Sequence, residues 1–217
     1  MIEAVVFDLD GVLVDSEPVW EQVRRQVVAG HGGHWAADTQ QRLMGMSTPE
    51  WARYLSEELG VGLPPETVAA LVIDQMRARY ETQVPAMPGA AGAVRQLAAR
   101  WPLGLASSSP PVLIGAALDG MGLRGCFAVT MSTQQVARGK PAPDIYLAVT
   151  SRLGHPAQRC AAVEDSANGI RSAAAAGLAV IAVPHPRYPP GPGALSSASL
   201  VLTSLAPLPP DAVAQLG

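Results

Sequence analysis

Carboxylates gather at two places where they would do chemistry together. Asp8-Leu9-Asp10-Gly11 closes one short apolar run, and Glu164-Asp165 closes another. Side chains alternate along a strand end, so Asp8 and Asp10 would flank a single site. The same residues would also serve in an ordinary turn, and Asp165-Ser166 would also cap a helix. If the two runs are strands of one parallel sheet, four carboxylates meet at one edge. They would repel one another unless protonated or offset by cations. A hard divalent ion with oxygen ligands resolves that repulsion. Mg²⁺, which takes a few carboxylates together with waters and a phosphate, fits best.

Two further segments offer what a phosphate requires. Ser107-Ser108-Ser109 ends an apolar run just before Pro110-Pro111 opens a helix. Hydroxyls and free N–H groups at a helix N-terminus bind anions, although a serine there would also act as a plain cap. Gly139-Lys140-Pro141-Ala142-Pro143-Asp144 sets one lysine ahead of a proline-started helix. A compact ammonium both neutralises carboxylates and holds phosphate. A lone lysine is equally at home on a solvated surface, but the prolines that follow this one place it stiffly.

The elements that must position these residues are legible as alternating patterns. Short apolar runs at Ala4–Leu9, Leu103–Ala106, Phe127–Met131, Cys160–Val163, Val180–Val183 and Leu200–Leu202 read as buried strands. Helical stretches at Ala90–Trp101, Val112–Leu118, Asp144–Leu153 and Ala167–Ala176 lie between them. Gly122, Gly154 and Gly177 follow three of these as stop signals. Strand alternating with helix implies an α/β fold, a parallel sheet covered on both faces. Ser16 to Pro85 breaks the rhythm with helical patterning only. Pro18 starts a helix carrying Val19, Val23 and Val27 at helical spacing, and Ser47-Thr48-Pro49-Glu50 reads as a capping box for a helix ending at Gly60. A third helix after Pro64-Pro65 carries Val68, Leu71, Val72, Met76 and Tyr80. The expected division is therefore a core of residues 1–15 and 86–217 with an all-helical insertion over 16–85. Pro184 to Pro192 is expected to be a surface loop.

Composition excludes several classes. The chain has 217 residues, 48% hydrophobic and 15% charged, which is the reverse of a disordered balance. A net charge of −3 offers no basic excess for nucleic acid. The longest apolar run, Ala173 to Val183, is 11 residues, too short to span a bilayer. Met1-Ile2-Glu3 has no basic leader, and two cysteines make no disulfide framework, so the expected location is the cytoplasm. Cys126 and Cys160 are expected in the core. His31 and His34 lack further ligand-type neighbours, and His155 and His185 are expected at the surface. Trp35 is expected in the core of the insertion, and Trp20 either there or facing a cleft.

Asp8-x-Asp10-Gly11, then Ser107, Lys140 and Glu164-Asp165, in that order and spacing, resembles the haloacid dehalogenase superfamily of phosphotransferases. The strings FDLDGVLVDSEP, GKPAPDIY and VEDSANGI are similar to its branch of β-phosphoglucomutase and small sugar-phosphate phosphatases. The resemblance spans nearly the whole chain. It implies a Rossmann-like core with an inserted helical cap. It also implies that Asp8 is the nucleophile, forming an aspartyl-phosphate, and that Asp10 is general acid and then general base. Ser107, the Ser108 N–H and Lys140 would hold the transferring phosphoryl. Mg²⁺ would be bound by the Asp8 carboxylate, the Asp10 carbonyl and Asp165, with Glu164 a ligand or a partner just behind the ligands. The dehalogenase branch does not use a second aspartate in this way, so Asp10 favours phosphoryl chemistry. The expected function is a Mg²⁺-dependent phosphomonoester hydrolase acting on a small phosphorylated metabolite, with a sugar-phosphate mutase as the alternative. The mutase branch carries a His matching Trp20, a Lys matching Met44, an Arg matching Thr48 and a Lys matching Pro110. All four are uncharged here, which favours the hydrolase.

Overall fold

The computed structural model describes residues 1–43, 46–206 and 208–216. The chain divides into two compact units, Met1–Asp15 with Val84–Gly217, and Ser16–Gln83.

The larger unit holds six strands: β1 (Ala4–Phe7), β2 (Leu103–Ser107), β3 (Phe127–Ser132), β4 (Cys160–Glu164), β5 (Ala179–Ala182) and β6 (Leu200–Val201). They form one sheet in the order β3-β2-β1-β4-β5-β6, and every pairing is parallel. The central strands are buried along their whole length because helices cover both faces, which is why they read as unbroken apolar runs. Phe7 pairs with Leu105 on one side and Val163 on the other. The residues that follow, Asp8, Ala106 and Glu164, therefore emerge together at the carboxyl edge. The chain runs outward from β1 through β2 to β3, then returns to place β4 on the opposite side of β1. That reversal makes the β1/β4 boundary the switch point where open α/β sheets bind ligands.

Helices α5 (Ala90–Ala98), α6 (Pro111–Gly120), α7 (Asp144–Leu153) and α8 (Ala167–Ala175) belong to this unit, with the short α9 (Pro192–Leu195) and α10 (Pro210–Ala214). Ala4, Val6, Ala106, Ile145, Tyr146, Val149, Cys160, Ala162 and Ile170 share one buried cluster between sheet and helices. The segments leading out of and back into this unit pair with each other. The Asp15 N–H donates to Pro85 O at 2.8 Å and the Met87 N–H to Leu13 O at 2.9 Å.

The second unit is helical: α1 (Glu17–Gly30), α2 (Thr39–Leu43), α3 (Thr48–Arg53) and α4 (Pro65–Thr82). Both α1 and α3 pack on α4, whose Val68, Val72, Met76 and Tyr80 recur every fourth residue and are buried. Glu50 accepts hydrogen bonds from the Ser47 N–H at 2.7 Å and the Ser47 hydroxyl at 2.6 Å, so the start of α3 is fixed as the sequence reads. Its end differs, because α3 widens into a π-helical turn over Tyr54–Glu58 before Gly60 stops it at φ +75°.

Three expectations about single residues are corrected. Trp35 is half-buried and lies beneath the Arg25 guanidinium at 5.3 Å, so it is not core. Cys126 is also only half-buried, whereas Cys160 is fully buried. His185 lies in the proline-rich loop but is only 4% exposed. Its Nδ1 accepts the Arg187 N–H at 3.3 Å, which leaves Nε2 to face Asp15 Oδ1 at 3.3 Å, and its ring stacks on Tyr188. A loop residue is drawn inward when both its ring nitrogens find partners. Trp20 is buried against Trp51 with ring centres 6.0 Å apart. Met44 falls outside the described residues.

Candidate active site

Asp8 is the first residue beyond β1 and only 6% exposed. Lys140, on the loop before α7, reaches it with Nζ at 2.7 Å from Oδ1. The same ammonium donates to Glu164 Oε1 at 2.6 Å and to Ala106 O at 2.9 Å. An ammonium has three protons, and here each has a protein acceptor. Lys140 therefore acts on this site as a fixed charge.

Glu164 ends β4 and is completely buried. Its Oε1 also takes the Tyr146 hydroxyl at 2.6 Å, and its Oε2 takes the Asp165 N–H at 3.2 Å and the Ser166 N–H at 3.4 Å. A carboxylate so fully engaged by protein donors suits anchoring Lys140 better than offering a lone pair to a metal. Asp165, one residue on, is half-buried. One carboxylate oxygen from each of Asp8, Glu164 and Asp165 lies within 4.8 Å of the others.

Asp10 faces differently. Its Oδ2 accepts the Ser109 hydroxyl at 2.7 Å and the Ser107 hydroxyl at 3.2 Å. Oδ1 is buried without a hydrogen-bond partner among the described residues. Ser107 Oγ also accepts the Ser109 N–H at 2.9 Å, which folds the serine run into a tight turn, and Ser108 is exposed beside it. Gly11 makes the turn after Asp10 at φ +80°, and a Cβ there would run into the Asp165 carboxylate. Only glycine satisfies both demands.

The structure thus gathers Asp8, Lys140, Glu164 and Asp165 into one cluster, with Asp10 and Ser107 linked beside it. Two residues were missed. Ser109 carries no signal of its own within the serine run, since no pattern separates the serine that holds Asp10 from its neighbours. Tyr146 sits inside the quoted GKPAPDIY string, but a buried hydroxyl looks like any other apolar-face position in a helix.

The electrostatics follow from burial. Burial pushes Asp8 up to about 8 against the pull of Lys140, with Glu164 and Asp10 adding to the rise. Asp165 is also raised well above the carboxylate range, by burial and then by the charges of Glu164 and Asp8. Burial alone would lower the Lys140 ammonium, but the charges of Asp8 and Glu164 and their hydrogen bonds overcome it and hold the group above its ordinary value. One buried cation therefore does not balance this set, and an all-oxygen cluster with surplus negative charge fits a hard divalent cation.

A family model of haloacid dehalogenase-like hydrolases matches residues 2–177. The chain belongs to that family. It is 32% identical over 178 residues to a phosphorylated carbohydrates phosphatase of Thermotoga maritima, covering 82% of each chain. It is 32% identical over 191 residues to hexitol phosphatase B of Escherichia coli K12, covering 85% of each. Among solved structures, CbbY from Rhodobacter sphaeroides in complex with phosphate superposes with a TM-score of 0.84 at 28% identity, covering 96% of each chain. The Rossmann-like core expected of a haloacid dehalogenase-like hydrolase is the sheet described above. No helix among the described residues is long and apolar enough to cross a membrane.

Proposed function

We propose that this haloacid dehalogenase-like hydrolase is a Mg²⁺-dependent phosphatase of a small phosphorylated metabolite, working through a phosphoryl group carried on Asp8. The observation that carries this reading is the buried Asp8 carboxylate held by Lys140 beside Glu164 and Asp165, at the switch point of the sheet. Asp8 and Asp165, with the Asp10 carbonyl, would hold the cation. When bound, it neutralises charge on the phosphoryl oxygens and on the carboxylates around them.

The residues divide the work as follows. An Asp8 carboxylate oxygen attacks phosphorus, and the bond from phosphorus to the ester oxygen breaks. Asp10 gives its proton to the departing oxygen, so the product leaves as a neutral alcohol. Asp10, now ionised, takes a proton from water, whose oxygen attacks the same phosphorus. The Asp8–phosphorus bond breaks, inorganic phosphate leaves and both aspartates are restored. Ser107 and the Ser108 N–H would hold the phosphoryl oxygens, and Lys140 keeps positive charge at Asp8 throughout. The helical unit, Ser16–Gln83, would act as the cap that selects the organic part of the substrate. The two free cysteines suit the cytoplasm.

Phosphate release from small phosphomonoesters is expected in Mg²⁺ and is lost in EDTA; undiminished release in metal-free buffer would overturn the reading. A second measurement is independent of turnover. With Asp8 near 8 and Asp165 also raised, the metal-free cluster holds protons at neutral pH. Metal binding must drive them off. Calorimetric titration with Mg²⁺ in buffers of different ionisation enthalpy should show proton release, and affinity should weaken as pH falls from 8 to 6. The same shifts set the stability of the metal-free protein. The folded state binds more protons than the unfolded chain between the ordinary aspartate value and about 8, so stability falls as pH rises through that window. Saturating Mg²⁺ should flatten that fall.

Hydrolase is preferred to mutase because the mutase cations are missing. Trp20 and Pro110 are buried and uncharged, and Thr48 is half-buried. With β-glucose 1-phosphate and a trace of the bisphosphate, free phosphate should accumulate; rapid conversion to glucose 6-phosphate would reverse the preference.

A further inference from the structure

Tyr146 is fully buried in α7, and its hydroxyl donates at 2.6 Å to Glu164 Oε1, the oxygen that also receives Lys140. The Lys140 nitrogen lies 5.2 Å from the centre of the Tyr146 ring. At Oε2 the contacts are longer: 3.2 Å from the Asp165 N–H, 3.4 Å from the Ser166 N–H and 3.3 Å from the Ser166 hydroxyl. The short bonds therefore converge on Oε1. From the other side, α8 accepts the carboxylate against its backbone at Gly169, where a Cβ would run into the Glu164 carboxylate.

The Lys140 ammonium is located by three acceptors, Asp8 Oδ1, Ala106 O and Glu164 Oε1. The Ala106 carbonyl is fixed by the sheet. Asp8 is the group on which the chemistry falls. Glu164 is thus the one anchor free to be tuned, and Tyr146 is what holds its shared oxygen in place.

We infer that Tyr146 is a positioning residue for the proposed phosphoryl transfer: its hydroxyl fixes Glu164 Oε1 and through it sets the Lys140 ammonium on Asp8. The inference rests on Asp8 as nucleophile for its kinetic consequence, but not for the geometry it describes. Without the hydroxyl, Oε1 keeps a single donor. The carboxylate then turns toward the backbone donors at Oε2 or draws Lys140 away from Asp8. Outer partners that orient a reacting group commonly contribute tenfold or more to rate.

The test compares Tyr146→Phe, which keeps the ring, with Tyr146→Leu, which removes it. Using p-nitrophenyl phosphate and saturating Mg²⁺, Tyr146→Phe should lower kcat about tenfold and leave KM within about twofold, because the ammonium acts on the nucleophile. Tyr146→Leu should show the same kcat loss with a lower Tm. A crystal structure of Tyr146→Phe should place Lys140 Nζ beyond hydrogen-bond distance of Asp8 Oδ1. If Tyr146 only fills space, the Phe variant keeps wild-type kcat and only the Leu variant suffers, which overturns the inference. Failure of the wild-type protein to form an acid-stable, hydroxylamine-labile phospho-enzyme would remove the proposed function instead. The geometry of Tyr146→Phe then still decides the matter, and an unmoved Lys140 would sink it.

Discussion

Asp8→Asn is expected to lower phosphate release by at least ~10⁴-fold while leaving the fold intact. An amide has the shape of the carboxylate but neither its charge nor its nucleophilicity. No neighbour can take over: both Glu164 oxygens are engaged by protein donors, and Asp165 sits beside the site as a metal-binding candidate. The stability change should run the other way. Burial raises Asp8, so in metal-free buffer near pH 8 its ionised form is disfavoured inside the protein. A neutral amide removes that penalty, and the Tm of Asp8→Asn in EDTA should match or exceed wild type, with the advantage growing as pH rises. Loss of function with gain of stability is the pattern expected where a site is held against its own electrostatics. Asp10→Asn makes the contrast, because in the proposed mechanism it removes the proton donor and not the nucleophile. Aryl phosphates, whose leaving oxygen needs little protonation, should still phosphorylate Asp8 slowly. Near-normal turnover in Asp8→Asn would sink the mechanism.

The sequence revealed the sheet and its acidic edge more readily than the way the edge is wired. Strand runs such as AVVF and CAAV announced themselves because both faces are buried, so no polar residue interrupts them. The strands end within two residues of where the apolar runs stop, and Asp8 and Glu164 lie at those ends because a carboxylate terminates an apolar run. Asp144–Leu153 was readable as a helix from its proline start and its glycine stop. What was not readable depends on contacts across the sheet. Glu164 and Asp165 are adjacent acids, yet one is fully buried and held by Lys140 and Tyr146, while the other is half-buried. That distinction comes from strand alternation and from the notch at Gly169. Ser109 is one serine of three, and only the turn after β2 aims its hydroxyl at Asp10. His185 was expected outside because proline-rich loops are usually exposed, but its two ring partners draw it inward. The π-helical turn after α3 likewise has no local signal, since it changes hydrogen-bond spacing without changing residue type.

Lys140→Met should show what the ammonium contributes, and its effect should be large in both rate and stability. The methionine keeps most of the side-chain volume but removes the cation that pairs with both Asp8 and Glu164. Taking one partner from a buried ion pair commonly costs roughly 3–5 kcal/mol, and this lysine side chain is only 6% exposed, so little solvent screening softens the loss. The cost should depend on pH with a definite sign. In the wild-type protein Lys140 pulls Asp8 down against burial; without it Asp8 rises above about 8. The folded variant then holds its proton to higher pH than the folded wild type, while the unfolded chains titrate alike. By linkage the stability deficit of Lys140→Met in EDTA should therefore be smaller at pH 6 than at pH 9. Turnover should fall about a thousandfold, because an uncharged group can neither keep Asp8 ionised nor offset the charge gathering on the phosphoryl oxygens. Added Mg²⁺ should recover part of the stability but little of the rate, since a cation among the carboxylates replaces charge without occupying the Lys140 position between Asp8, Ala106 and Glu164. Denaturant titrations at the two pH values, with and without Mg²⁺, measure the first effect, and single-turnover phosphorylation of Asp8 measures the second. A variant with a pH-independent deficit and wild-type phosphorylation would mean that Lys140 is only a surface charge folded inward.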